Sequence, residues 1–236
     1  MKATDKILVS AKKVANYMTA NGFIYNIEKS DKSWEKAKVK KSACCSAYAS
    51  WVLQVAGLLE DGQDFYANSR GNIGYKGSNV DETLAKNFAF IKVPNRPCSN
   101  MISELMEGDI VGYISPHVNI FAGINKDGRS VWWDGGTSAT KDKKTGSKYS
   151  NLHQTKTITS KVCWILRYKY YDKYEGASNK LDEILISIGV SKSMTGKPSA
   201  RLPIAKKNGI EKYIGTEEQN KELIALAKKG KLLKVW

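Results

Sequence analysis

Cys44-Cys45-Ser46-Ala47-Tyr48-Ala49-Ser50-Trp51-Val52-Leu53-Gln54-Val55-Ala56-Gly57 is an apolar run that opens on two thiols and closes on a glycine. Its apolar residues cover much of a helical circumference, which predicts a central helix from about Cys45 to Ala56, buried on most sides, with Gly57 as its C′ residue. A cysteine at a helix start meets unpaired backbone N–H groups and the positive end of the helix dipole. Both favour thiolate over thiol, and the N–H groups at Cys45 and Ser46 can receive a developing oxyanion. Cys45, Ala49, Val52 and Ala56 lie on one stripe, whereas Cys44, Tyr48 and Trp51 point about 100° away, so periodicity admits either thiol as the reactive one.

A thiol nucleophile needs a base within hydrogen-bond reach, and the base needs a polar group to orient it. His117-Val118-Asn119-Ile120-Phe121-Ala122-Gly123 reads as a strand, Asn125-Lys126-Asp127-Gly128 as a hairpin turn, and Ser130-Val131-Trp132-Trp133-Asp134 as the returning strand. Strand alternation puts His117, Asn119 and Phe121 on one face. A turn centred near Asn125-Lys126 sets His117 across from Asp134 to within a residue or two. Cys45, His117 and Asp134 are therefore the candidate catalytic residues. Asn119 shares the face of His117, and Trp132 and Trp133 face opposite sides of their strand; these three are the candidate substrate contacts. Core packing is the competing account of each, because burial explains most Cys, His and Trp residues.

Around this centre the pattern is helices first and antiparallel strands afterwards, an α+β arrangement. Ile7, Leu8, Ala11, Val14, Ala15 and Met18 predict an amphipathic helix over residues 5–21, ended near Asn21-Gly22. A lysine-rich loop is expected over 29–41 and further loop over 58–80, then a short helix from Asp81 to Asn87 and a strand from Phe88 to Val93. Gly108-Asp109-Ile110-Val111-Gly112-Tyr113-Ile114 is a turn into a strand, with Asp109 organising the turn, and Lys161 to Tyr168 is the last strand. His153, in a polar loop of Lys, Thr and Ser, is expected to be a bystander. A composition shift near 172–180 divides the chain into a first domain at 1–172, a linker at 173–180 and a small helical module at 181–236. In that module Leu181, Ile184, Leu185 and Ile188 form one stripe and Pro203 to Asn208 a short element. Thr216 with Gln219 is a capping box for a last helix stopped at Gly230.

The four cysteines, at 44, 45, 98 and 163, make no disulfide framework in a chain of 236 residues. They also lack the C-x-x-C or H-x-x-x-H spacing of a zinc site, so no metal and no cofactor is expected. No apolar run approaches the roughly 20 residues of a membrane span, and Lys12-Lys13 interrupt the first apolar stretch before it makes a signal-peptide core. A soluble chain made in the cytoplasm is the expectation. The formal charge of +15 points to a polyanionic partner. Residues 180–236 hold 12 Lys+Arg against 6 Asp+Glu, a net of +6 that leaves +9 elsewhere, so both parts are basic. Nucleic acid is one such partner, but the chain has no G-x-x-G loop, zinc-finger spacing or aromatic RNP-like strand.

In combination, Cys45 through Gly57, Gly108 to Val111, His117 to Gly123 and Trp132 to Gly135 resemble, in residues and in order, the NlpC-type and CHAP-type papain-like peptidoglycan hydrolases, especially the amidase-like domains of bacteriophage endolysins. The resemblance spans about residues 5–170. It implies a papain-like domain with helices packed on an antiparallel sheet, followed by a small all-α cell-wall-binding module. It further implies cleavage of an amide bond in peptidoglycan, with Cys45 as nucleophile, His117 as base and Asp134 as the third polar residue. An N-acetylmuramoyl-L-alanine amidase is the leading form of that activity; a stem-peptide endopeptidase or an acyltransferase keeps the same site. The implied partners are peptidoglycan and anionic wall polymers, without nucleic acid or membrane insertion, and with release from the cytoplasm through a separate holin. Counting back from Trp51, the motif favours Cys45 over Cys44. The chain departs from the family at Cys44, where Asp or Asn is common.

Overall fold

The computed structural model describes residues 3–26, 29–67, 73–76, 80–115, 117–135, 152–155 and 159–236. It is an α+β protein with seven helices among those residues. Residues 7–168 form one compact unit, and residues 169–236, with residues 3–6, form the other.

The helix expected near the start is α1 (Ala3–Ala20), and in the larger unit the run that opens on the thiols is α3 (Cys45–Val55). Between them stand β1 (Ile24–Tyr25), α2 (Trp34–Lys40) and β2 (Ser42–Ala43). The lysine-rich stretch is thus not all loop. Ser33 caps α2 through its hydroxyl, and Asp61 accepts from both the Ser33 hydroxyl and the Trp34 N–H, so tertiary capping makes a helix where the hydrophobic pattern is weak. The stretch 58–80 also departs from expectation. It contains a hairpin of β3 (Asp64–Ala67) and β4 (Ile73–Lys76), whose pairing no local alternation announces. The next helix, α4 (Val80–Asn87), then leads into β5 (Phe88–Pro97).

The main sheet has the order β5-β10-β6-β7-β8-β9 and is antiparallel throughout, with β6 (Ile110–Tyr113), β7 (His117–Ile124), β8 (Ser130–Asp134), β9 (Leu152–Thr155) and β10 (Lys161–Tyr168). Its period-2 alternation separates two cores. Ile110, Val118, Ile120, Trp164 and Leu166 pack with Met18 of α1 and with Trp51 and Val52 of α3. Val111, Tyr113, Phe121, Trp132 and Ile165 pack with Cys98, Met101 and Leu105 on the other face. Asp109 organises the turn into β6, accepting from the Met106 N–H at 2.8 Å. The same carboxylate, 1% exposed, accepts from Nε and Nη2 of Arg167 on β10. Removing one partner of such a buried pair costs about 3–5 kcal/mol, because the other charge is stranded.

In the smaller unit, residues 171–180 carry neither helix nor strand. The stripe Leu181, Ile184, Leu185 and Ile188 lies on and just after α5 (Leu181–Ser187) and packs with Ile204, Leu223, Ala227 and Leu232. The element expected from Pro203 begins earlier, as α6 (Pro198–Lys207). Pro198 takes the first helical turn, where its missing N–H costs nothing, and Pro203 lies inside the helix. The last helix, α7 (Glu217–Lys228), has the capping box of Thr216 and Gln219.

Candidate active site

Cys45 is the first residue of α3, and Cys44 before it is the N-cap, with extended backbone and no side-chain cap bond. A cap residue ordinarily satisfies first-turn N–H groups from its side chain. Here the side chain does not, and the amides of Cys45 and Ser46 keep their positive character beside the thiol. Cys45 is 7% exposed, which seats it at the surface edge of a buried helix. Burial pushes the thiols of Cys98 and Cys163 up, away from thiolate.

His117 opens β7, and Asp134 closes β8. The register pairs Asp134 with Asn119 rather than with His117, a two-residue offset within the tolerance of the hairpin count. Two residues preserve the face. His117 Nε2 lies 3.0 Å from Asp134 Oδ2, leaving Nδ1 as the nitrogen for the thiol. Burial pulls the His117 pKa down. Hydrogen bonds with Asp134 and Cys45, and the charges of both, more than reverse this and raise it from 6.5 to about 10. The imidazolium is therefore flanked by a carboxylate that is 3% exposed and by the sulfur of Cys45. The Tyr113 ring stacks on the imidazole at 6.1 Å between centroids.

Tyr25 is the residue that sequence reasoning missed. β1 pairs in parallel with β2, setting Tyr25 beside Ala43, two residues before Cys45. Its hydroxyl is hydrogen-bonded to Cys45. Burial, then the charges of Cys45, Cys44 and Asp134, push its pKa up, so it stays a protonated donor. A two-residue strand is too short for a periodic signal.

The candidate substrate contacts are placed differently from one another. Trp132 is fully buried, packs on Phe121 at 4.9 Å and donates from Nε1 to the Ser130 hydroxyl, so its ring presents no surface to a ligand. Trp133 is half-buried against the core that holds α3. Asn119 is 8% exposed and hydrogen-bonds the Tyr113 hydroxyl, which makes it part of the support beneath His117. His153 falls on β9, where its backbone pairs with Trp132; its side chain lies outside the described residues.

Gly135 closes the arrangement. A Cβ there would lie 2.4 Å from Tyr48 Cβ and 3.1 Å from the Cys44 carbonyl oxygen. The chain after Asp134 thus rests directly on the first turn of α3, and this contact sets the spacing between the Asp134–His117 pair and Cys45. No protein-family model matches the chain, and neither does any curated protein or solved structure. Among the described residues no group of three His, Cys, Asp or Glu side chains is arranged to hold a metal ion, and no helix is long and apolar enough to cross a membrane. Chemically, the site offers a thiol nucleophile, a proton donor and acceptor beside it, and two kinds of hydrogen-bond donor for a negative oxygen.

Proposed function

We propose that the chain is a papain-like cysteine hydrolase of bacterial peptidoglycan, an N-acetylmuramoyl-L-alanine amidase of the endolysin kind, with residues 181–236 as an all-α wall-binding module. The observation that carries the reading is the meeting of three elements distant in sequence: Cys45 on a helix start, with His117 held between it and the buried carboxylate of Asp134. An adventitious packing cysteine has no need of an imidazole oriented by a second residue.

In this reading Cys45 attacks the amide carbonyl as a thiolate. The oxyanion is received by the N–H groups of Cys45 and Ser46 and by the Tyr25 hydroxyl. His117 gives its proton to the leaving amine, then takes one from the water that hydrolyses the thioester. Asp134 holds the imidazole and stabilises its charged form, as the third member of such a triad does. The net charge of +15 favours an anionic wall, on which a basic targeting module raises the local concentration of the catalytic domain. The chain is made in the cytoplasm and meets the wall through a holin.

Mass spectrometry of fragments released from purified Gram-positive peptidoglycan tests this. Wild-type protein is expected to release stem peptides with an intact N-terminal alanine, and Cys45→Ala none while still binding the wall. Full release by Cys45→Ala, or no release from any wall by the wild type, would overturn the proposal; shortened peptides would make the enzyme an endopeptidase.

A further inference from the structure

The smaller unit holds a groove of about 830 Å³ between the start of α5 and the outer side of α7. That volume lies in the range of small-molecule sites, roughly 300–1,000 Å³. Leu181, Ile224 and Ala225 supply apolar lining, and Asn179, Glu217, Asn220, Lys221 and Lys228 supply polar groups.

The groove is built rather than incidental. Asn220 Oδ1 accepts from the Tyr213 hydroxyl at 2.6 Å, and Asn220 Nδ2 donates to the Gly215 carbonyl at 3.1 Å. Arg201 Nη1 also donates to Asn220 Oδ1, while Arg201 Nε and Nη2 hold the Thr195 and Gly196 carbonyls. Gly215 adopts φ +85°, and a Cβ there would lie 2.7 Å from Pro198 Cγ, so this wall is pinned against α6. A wall fixed in advance loses little freedom when a ligand arrives.

Its rim carries two cations, Lys221 and Lys228, and one carboxylate, Glu217. Lys228 donates to the neutral Asn179 side chain and makes no ion pair among the described residues. Lys221 pairs with Glu217 one turn away, an exposed contact of small worth that a ligand carboxylate can replace. The capping box takes the Thr216 and Gln219 amides at the start of α7, and Lys221 and Lys228 are the side-chain cations that face the groove.

We propose that this groove binds the acidic peptide end of a muramyl peptide, an assignment that rests on the peptidoglycan reading above and extends it to the ligand of the second unit. The lactyl and alanyl methyl groups meet Leu181, Ile224 and Ala225, and the terminal carboxylate meets Lys228 and Lys221. A polyol phosphate, polar along its whole length, would leave the apolar lining unused.

The test uses the full chain with Cys45→Ala, titrated with N-acetylmuramoyl-L-alanyl-D-glutamate by calorimetry. One saturable site per chain is expected, weakened about tenfold or more by Ile224→Glu and about tenfold by Lys228→Glu. Lys228 is exposed, so that variant keeps the test open if Ile224→Glu fails to fold. Absence of saturable binding, binding unchanged in the folded variants, or equal competition by a glycerol-phosphate oligomer would overturn the assignment. Fragment release by the wild type is scored separately. Hydrolysis without probe binding sinks the groove alone, and probe binding lost in the variants without any hydrolysis sinks the hydrolase reading alone.

Discussion

Replacing Gly135 by alanine should damage the site without touching any reacting group. The added Cβ would stand 2.4 Å from Tyr48 Cβ, 3.0 Å from its Cγ and 3.1 Å from the Cys44 carbonyl oxygen. Carbon atoms pack at about 3.5–4.0 Å, so the contact must open by roughly 1.1–1.6 Å. Tyr48 cannot swing aside: it is 1% exposed, and its hydroxyl donates to the Ala11 carbonyl at 2.9 Å. The displacement therefore falls on the end of β8, which carries Asp134, or on the first turn of α3, which carries Cys45. A misplacement of about 1 Å can cost on the order of 100-fold in rate. Overpacking of this kind destabilises by about 1–3 kcal/mol, or roughly 2–12 °C in melting temperature at this chain length. The assay is kcat/KM for release of wall fragments, with a thermal melt on the same sample. A loss of about 100-fold in a protein still folded at the assay temperature is expected. Activity within twofold of wild type together with an unchanged melt would refute the argument that this contact sets the spacing of the site.

Protonated His117 stabilises the folded chain, because its pKa is raised from 6.5 to about 10. That contribution is fully present below about pH 6.5 and is lost as pH rises through about 10. Asp134→Asn removes the largest raising influence, so it should flatten the fall of melting temperature over this window and shift the alkaline limb of activity to lower pH. It should also cost less activity than His117→Ala. Melting curves that stay parallel for wild type and Asp134→Asn would place the stabilising partner elsewhere. Tyr25→Phe deletes the proposed oxyanion donor and should lower kcat by about 100-fold with little change in KM; steady-state kinetics showing a rise in KM alone would make Tyr25 a substrate contact.

Much of the site was legible because its parts are local. An apolar helix that begins on two thiols left Cys44 and Cys45 both open, the motif counted back from Trp51 favoured Cys45, and the His117–Asp134 pair came from one hairpin whose turn residues set the count. The offset of two in register did no harm, since alternation returns the same face every second residue. Tyr25 was not legible, because its place depends on a parallel pairing of two-residue strands, Tyr25 with Ala43, 18 residues further on, that have no pattern of their own. Trp132 and Trp133 looked alike in sequence, and only packing separated the fully buried ring from the half-buried one.

By itself, then, the sequence determined the α+β order of elements, the buried helix, the hairpin and the stripes of the last helices, all of which are encoded in periodicity, caps and turn chemistry over a few residues. The tertiary structure alone decided that α2 and the β3–β4 hairpin form, which polar groups meet around Cys45, and that Gly135 must carry no side chain. Those outcomes depend on contacts between segments far apart in the chain, where close packing and a hydrogen bond to a distant partner outweigh local preference.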